Sequence, residues 1–229
     1  MKIQINPMGL VAQHVLYHNE TLELKPGITI LVGRNGAGKT SLIRYLEYES
    51  KKGEFNFRSF DNYSDGGQNA IQRVLEYGKV EDFFEQATGS EGMRIFTNFG
   101  KFIEDFGCFM RNYDRSKPLI VCLDAVDSGL DIEGLEQVKS GLDFILEHEK
   151  GTEIYFLVSA NNYALVEGSS CLDIYDFSYR TFASYIEYKE FILEQYKRDR
   201  LAEAEEIKHK KECFSDGSGR HNGLKPHGR

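Results

Sequence analysis

The sequence contains no long apolar run, and its N-terminal segment has no extended apolar core. A helix that crosses a bilayer needs about 20 predominantly apolar residues, so we expect no membrane span. The same absence argues against a secretory signal peptide, and we therefore predict a cytoplasmic protein. The only cysteines, Cys108, Cys122, Cys171 and Cys213, show no paired spacing. Their scatter favours reduced thiols over a disulfide framework.

An excess of positive charge is also missing, since 36 Asp and Glu outnumber 28 Lys and Arg and the net charge is −8. Affinity for a nucleic-acid backbone comes mainly from cationic side chains, so charge alone does not indicate a nucleic-acid binder. Segment 197–229 is richer in Lys and Arg than the rest, and we predict a charged helical extension that ends in a disordered, Gly-rich tail. Residues 1–196 suit one sizeable α/β domain.

The strongest pattern present is a glycine-rich stretch between an apolar, β-branched run at Ile28–Val32 and an amphipathic helical pattern. Gly33–Thr40 reads GRNGAGKT and fits G-x-x-x-x-G-K-[ST] in the strand–loop–helix context that this motif requires. Glycines let the backbone curl around phosphates, and the turned N–H groups form an anion nest at the helix N-terminus. We predict that ATP is bound here, with Lys39 on the β- and γ-phosphates and the Thr40 hydroxyl on Mg²⁺. The predicted binding residues of this loop are Arg34, Asn35, Gly36, Ala37, Gly38, Lys39, Thr40 and Ser41.

A second apolar run, Leu119–Leu123, predicts a buried strand that ends at Asp124. An acid in this place can hold the magnesium ion, so Asp124 joins Thr40 as a predicted metal ligand. The next residue is Ala125, which cannot polarise water. The nearest carboxylate that could do so is Asp127, and we interpret it either as the catalytic base acting with Lys39 or as the cap of the helix that follows.

The stretch from Asp124 to Asp131, DAVDSGLD, resembles the Walker B and D-loop segment of ATP-binding-cassette (ABC) ATPases, which typically reads Asp-Glu-Pro-x-x-x-Leu-Asp. The GRNGAGKTSL loop resembles the same family, in particular small soluble RecF/SMC-like AAA-family ATPases without coiled-coil arms. The resemblance implies a P-loop NTPase fold with a mainly parallel central sheet flanked by helices, and an antiparallel β-layer at the N-terminus. It also implies a homodimer with ATP sandwiched between subunits, in which Ser128–Asp131 reaches the partner.

That family also has a signature segment, a Ser/Gly turn that opens a helix and touches the γ-phosphate held by the opposite subunit. Two stretches compete for this role, SDGGQ at Ser64–Gln68 and GSEGM at Gly89–Met93. Position favours the second, because it precedes a long amphipathic stretch that leads directly to the Leu119–Leu123 strand. The predicted signature residues are therefore Ser90, Glu91 and Gly92.

The resemblance implies two further polar groups around the phosphates. A Q-loop amide would come from Gln68 or Asn62, and the sequence does not separate the two. A third apolar run, Glu153–Ala160, predicts another strand, after which the family places a switch histidine. Here Asn161 follows instead, and it can hydrogen-bond a γ-phosphate but cannot act as an acid or a base. A plain turn is the alternative interpretation of Asn161.

These patterns predict an ATP-binding, slowly hydrolysing, Mg²⁺-dependent ATPase that acts by ATP-dependent dimerisation on a partner protein or a nucleic-acid process. A nucleotide-dependent interaction switch with scarcely any turnover stays open, because Ala125 and the missing histidine favour it. The ATPase subunit of a transporter is a third interpretation, against which the non-standard signature argues. Soluble relatives serve in DNA repair and in defence against phage, which is an implication of the resemblance alone. The pathway and the partner are not fixed by the sequence.

Overall fold

A six-stranded sheet forms the centre of the fold. The computed structural model describes residues 1–5, 20–62, 91–149 and 151–217, and for 91–96 and 202–217 it describes the backbone alone. The strands of the sheet are β3 (Gly27–Val32), β4 (Asn56–Asp61), β5 (Leu119–Asp124), β6 (Ile154–Ser159), β7 (Cys171–Asp173) and β8 (Tyr179–Arg180). Their spatial order is β4-β5-β6-β3-β7-β8, and every neighbouring pair is parallel except β7 and β8. The predicted α/β fold with a mainly parallel sheet is confirmed.

The strand order places β6 between β3 and β5. Leu31 of β3 lies opposite Ser159 of β6, and Leu123 of β5 lies opposite Val158. Because parallel strands end at the same edge of a sheet, the segments that follow these three strands lie side by side. In open α/β sheets this carboxyl edge is where ligands bind.

Helices cover both faces of the sheet, as buried parallel strands require. The described helices are α1 (Lys39–Ser50), α2 (Glu91–Asn112), α3 (Ile132–His148), α4 (Tyr163–Val166) and α5 (Tyr185–Gly217), of which α1 covers one face and α2 and α3 cover the other. On one face, Leu42 and Leu46 of α1 share a buried cluster with Ile120 and Leu157 of the sheet. This layer anchors the helix that follows the glycine loop.

The opposite face carries α2 and α3. The ring of Phe99 in α2 meets that of Phe60 in β4 with the ring centroids 5.6 Å apart, and Phe106 meets Phe156 of β6 at 6.5 Å. Helix α3 contributes the buried side chain of Val138. The apolar stripe of α2 is therefore core packing.

The first two strands form a separate antiparallel pair, β1 (Lys2–Gln4) and β2 (Thr21–Glu23), in which Ile3 lies opposite Leu22. Both of these side chains are buried in the cluster that also contains the α1 residues. The predicted antiparallel layer at the N-terminus is thereby confirmed.

Helix caps fix where α3 and α5 begin. The backbone N–H of Gly134 donates to Asp131 Oδ1 at 2.8 Å, so Asp131 caps α3. At the start of α5, Glu187 N–H donates to the Ser184 hydroxyl at 3.3 Å, and the Glu187 carboxylate accepts from Ala183 N–H at 2.7 Å. This reciprocal arrangement resembles a capping box.

The chain divides into two compact units, Met1–Tyr188 and Lys189–Arg229. The first contains both sheets and the first turn of α5, and the second continues α5 as far as Gly217. The predicted division into 1–196 and 197–229 stays a prediction. None of the described helices is both long and apolar enough to cross a membrane.

Candidate functional site

The glycine loop connects the end of β3 to the start of α1. Gly36 and Gly38 have φ angles of 83° and 103°, a region that glycine enters readily and residues with a Cβ avoid. Gly38 is the N-cap of α1, and no side chain caps the helix there. Since the first-turn N–H groups of a helix have no intrahelical acceptor, the loop presents backbone donors suited to an anion.

Lys39 is the cation of this loop, and its side chain is buried, with 7% of the residue exposed. Its Nζ donates to the carbonyl oxygen of Gly33 at 2.6 Å and to that of Arg34 at 3.3 Å. Burial lowers the pKa of the ammonium, and the Asp127 and Asp124 carboxylates oppose that shift. The positive charge is thus held inside the loop and beside two acids.

A cavity of about 230 Å³ opens above the carboxyl edge of the sheet. It brings together the glycine loop, the end of β5 and the end of β6. The described residues that line it are Asn35, Gly36, Gly38, Lys39, Thr40, Ser41, Asp124, Ala125, Ser159 and Asn161. Three segments predicted separately from the sequence therefore share one site.

Thr40 and Asp124, the predicted metal ligands, both line this cavity. They supply a hydroxyl and a carboxylate oxygen, which are ligand types that Mg²⁺ accepts. No cluster of three or more His, Cys, Asp or Glu able to hold a metal occurs in the described ranges. A pair of protein oxygens fits Mg²⁺ nonetheless, because this ion keeps several waters and is usually shared with substrate phosphates.

Asp127 lies beside the cavity and is 8% exposed. Its Oδ2 accepts hydrogen bonds from the backbone N–H groups of Asn161 and Asn162, at 2.6 and 2.7 Å. Its Oδ1 is buried and accepts no hydrogen bond from the described part of the chain. Because Asp131 caps α3, the alternative interpretation of Asp127 as that cap is wrong. Its role as the catalytic base stays a prediction.

Asn62 follows β4 and forms hydrogen bonds with the loop after β5. Its Nδ2 donates to the carbonyl oxygens of Ala125 and Ser128, both at 3.0 Å. Ala125 has a φ of 52°, a left-handed conformation that is costly for any residue with a Cβ. The Ala125 carbonyl also accepts from Ser128 N–H at 3.0 Å, so these hydrogen bonds fix the strained turn. Strain of this kind is frequent at functional sites.

An aromatic group adjoins the turn after β6. The Tyr188 hydroxyl is 3.4 Å from the carbonyl oxygen of Asn161, which is long for a hydrogen bond between oxygens. Burial raises the pKa of Tyr188 to about 12, and the nearby Asp127 carboxylate adds to the shift. The rings of Tyr163 and Tyr188 lie with their centroids 5.9 Å apart. The start of α5 therefore packs against this turn.

The structure does not gather every predicted site residue. Arg34 and Ala37 are not among the residues that line the cavity, and Ala37 packs against the core instead. Gln68 and Ser90 lie outside the described residues. Glu91 and Gly92 form the first turn of α2, and their side chains are not described.

Two residues at the site, Ser159 and Tyr188, were not predicted from the sequence. Ser159 is the last residue of β6 and lines the cavity, and its only signal was its place at the end of a predicted strand. Tyr188 had no signal of its own, because it belongs to a run of aromatic residues whose spacing indicates packing.

A family model described as an AAA domain matches residues 11–216. This chain belongs to the AAA domain family. The membership makes it a nucleotide-binding ATPase domain in general terms, and nucleotides in such domains are typically bound with Mg²⁺. The glycine loop and the cavity of this AAA domain provide the corresponding groups.

Solved structures similar to this AAA domain share little of its sequence. Stu0660 of Streptococcus thermophilus is 8% identical, with a TM-score of 0.45, over 73% of this chain and 74% of that one. Cdc6p from Pyrobaculum aerophilum is 18% identical, with a TM-score of 0.32, over 62% of this chain and 34% of its own. No curated protein sequence matches the chain.

Proposed function

We propose that this AAA domain is a small ABC-type ATPase of the RecF/SMC-like kind. It binds ATP with Mg²⁺, hydrolyses it slowly, and acts in the cytoplasm through ATP-dependent dimerisation. The observation that carries this proposal is the common cavity of Lys39, Thr40 and Asp124. These are the cation, hydroxyl and acid that bind a nucleoside triphosphate and its metal ion in P-loop enzymes.

The groups divide the work of phosphate binding. Backbone donors of the glycine loop and the Lys39 ammonium neutralise phosphate charge, while Thr40 and Asp124 hold the metal ion. Lys39 now donates to two loop carbonyls, and a phosphate oxygen would replace these acceptors with a charged one. Hydrogen bonds to charged groups are the stronger kind, so the exchange favours nucleotide binding.

We expect slow turnover because the residues opposite the glycine loop, at the ends of β5 and β6, lack the usual catalytic groups. Ala125 follows Asp124 without a carboxylate, and Asn161 occupies the place where the resemblance implies a histidine. The Asp127 carboxylate is the candidate base nearest to the cavity. Since positioning and charge neutralisation supply most of phosphoryl-transfer catalysis, a weak base lowers the rate without abolishing binding.

The dimer is proposed from the D-loop resemblance and from exposure. Ser128, Gly129 and Asp131 are exposed, and they follow directly on Asp124–Asp127 beside the cavity. A second copy docking on this loop would enclose the nucleotide between two chains. The output would pass to a protein partner or to a nucleic-acid process, and the net charge of −8 gives nucleic acid no general advantage.

The dimer is tested by light scattering coupled to size exclusion, with Mg²⁺ and a non-hydrolysable ATP analogue. The expected result is a doubling of the 26.2 kDa chain mass when the analogue is present. A matched variant is Ser128→Arg, which places a bulky cation on the exposed loop and should prevent the doubling, while the monomer still binds the analogue with the lower affinity that loss of the dimer contribution implies. A wild-type chain that binds the analogue and stays monomeric would contradict the dimer and leave nucleotide binding standing.

A second function is favoured by a specific observation, namely that the candidate base Asp127 is buried and already bonded. In this case the protein is a nucleotide-dependent interaction switch that binds ATP and scarcely turns it over. Steady-state phosphate release separates the two functions. Turnover that Lys39→Met abolishes supports the ATPase, and near-zero release from a wild-type chain that dimerises with ATP supports the switch.

A further inference from the structure

The loop after β5 and the turn after β6 are joined by one side chain. Asp127 Oδ2 accepts both the Asn161 and the Asn162 backbone N–H groups at 2.6 and 2.7 Å. These bonds link segments 34 and 35 residues apart. A carboxylate that accepts backbone N–H groups forms short, charge-assisted bonds, so this contact fixes the turn relative to Asp124.

Other contacts hold the same turn in place. The Asn162 side chain accepts from the Ala164 backbone N–H at 3.0 Å and caps α4. On the far side, the Tyr188 hydroxyl faces the Asn161 carbonyl. Asn161 itself is exposed and lines the cavity of about 230 Å³. The backbone of the turn is therefore restrained at a position where Asn161 lines the cavity.

A general base needs an oxygen that reaches the attacking water. One oxygen of Asp127 is bonded to two amides, the other is buried, and the residue does not line the cavity in the described part of the chain. This geometry suits a residue that acts through another group.

We infer that Asp127 is a positioning residue, whose carboxylate holds the Asn161–Asn162 turn so that the Asn161 amide meets the terminal phosphate of ATP. The inference rests on the proposed function, because it requires ATP in the cavity. In this role Asp127 does not take a proton from water, and its carboxylate instead accepts hydrogen bonds from the Asn161 and Asn162 backbone N–H groups. ATP and ADP differ in that terminal phosphate, so the effect of Asp127 should appear with ATP and not with ADP.

Two substitutions separate the positioning role from the base. Asp127→Asn keeps a side-chain oxygen that can accept the same N–H groups but cannot take a proton, while Asp127→Ala keeps neither property. Positioning predicts that Asp127→Asn retains turnover within about fivefold of wild type and that Asp127→Ala loses roughly tenfold or more. Equal losses in the two variants would overturn the inference and identify a base.

Binding provides the second measurement, by calorimetric titration with a non-hydrolysable ATP analogue and with ADP. In Asp127→Ala the affinity for the analogue should fall roughly tenfold while the affinity for ADP stays within about twofold. A merely structural role would lower both affinities or only the folded fraction. Equal affinities of wild type and Asp127→Ala for the analogue would also overturn the inference. If Asp127→Ala does not fold, Asp127→Ser takes its place, since its shorter hydroxyl cannot reproduce both bonds.

Asp114 offers a matched control. Its Oδ1 accepts from the Ser116 backbone and hydroxyl at 3.0 and 2.6 Å, in the loop before β5 and thus at the other edge of the sheet. Asp114→Asn and Asp114→Ala should leave turnover and both affinities unchanged. A wild-type chain that binds neither nucleotide would overturn the proposed function and this inference together, whereas a failure of Asp127→Asn alone leaves the proposed function intact.

Discussion

The glycine loop is one continuous segment, Gly33–Thr40, whereas the opposite wall of the cavity is formed by residues at the ends of β5 and β6. The loop is shaped by glycines at positive φ and by backbone donors. The wall is held by two polar side chains, Asn62 and Asp127, that reach backbone groups 34 to 66 residues away. The phosphate-binding loop thus depends on one short stretch of sequence. The wall, where we expect hydrolysis to be controlled, depends on how the strands of the sheet are arranged.

The largest expected effect is on ATP affinity and comes from a substitution in the glycine loop. Lys39→Met keeps an unbranched apolar side chain and removes the ammonium, so we expect ATP affinity to fall by a factor of roughly 10 to 150, because a hydrogen bond to a charged group contributes about 1.5–3 kcal/mol. Isothermal titration measures this change. Unchanged affinity would contradict the assignment of Gly33–Thr40 as the phosphate-binding loop.

Asp124→Asn tests the metal-side acid of the wall. We expect affinity for the ATP analogue to fall roughly tenfold in Mg²⁺, because an amide oxygen lacks the charge that Mg²⁺ prefers. The same titration in EDTA serves as the control, and there the variant should match wild type. A loss of equal size under both conditions would show that Asp124 does not act through the metal ion.

Substitution of Asn62 tests whether the loop after β5 depends on a side chain that is distant in sequence. Asn56, at the other end of β4, provides the control. Asn62→Ala removes two donors and should lower the free energy of unfolding by about 1–3 kcal/mol, measured by urea denaturation. Asn56, at the start of β4, donates in the same way to the carbonyls of Asp114 and Lys117 at 2.8 and 3.3 Å.

We expect Asn56→Ala to lower stability by a similar amount, and we expect only Asn62→Ala to reduce phosphate release. Equal turnover in the two variants, measured below their unfolding transitions, would show that the Ala125–Ser128 loop needs no support from Asn62.

The smallest effect concerns the strained residue of the wall. Ala125→Gly relieves a left-handed conformation that costs about 1–2 kcal/mol, and it adds a backbone entropy cost of about 0.5–1 kcal/mol. The free energy of unfolding should therefore stay the same or rise by up to about 1.5 kcal/mol. A drop of more than about 1 kcal/mol in urea denaturation would mean that the Ala125 methyl packs usefully.

The same contrast explains what the sequence could predict. The glycine loop and the strand ending at Asp124 are marked by local patterns, the antiparallel N-terminal pair was implied by the family resemblance, and the structure has all three where they were expected. The bonds from Asp127 to the Asn161 turn depend on β6 lying beside β5. No local pattern encodes that neighbour relation, so a cap of the following helix looked equally reasonable for Asp127.

Asn62 shows the same limit in another form. It was one of two candidates for the Q-loop amide, and its place at the end of β4 became informative only with the parallel pairing of β4 and β5. The place of Tyr188 was harder still to predict, because its spacing in the sequence indicates packing. Only the tertiary fold brings its hydroxyl to the carbonyl oxygen of Asn161.

The central claim is that the Lys39–Thr40–Asp124 cavity binds a nucleoside triphosphate with Mg²⁺. Isothermal titration of the wild-type chain with Mg²⁺ and a non-hydrolysable ATP analogue tests it most directly. We expect saturable binding of one nucleotide per chain, together with a stabilisation of about 2.7 kcal/mol when the free analogue is at 100 times its Kd. No saturable binding, or binding that persists unchanged in Lys39→Met, would contradict it.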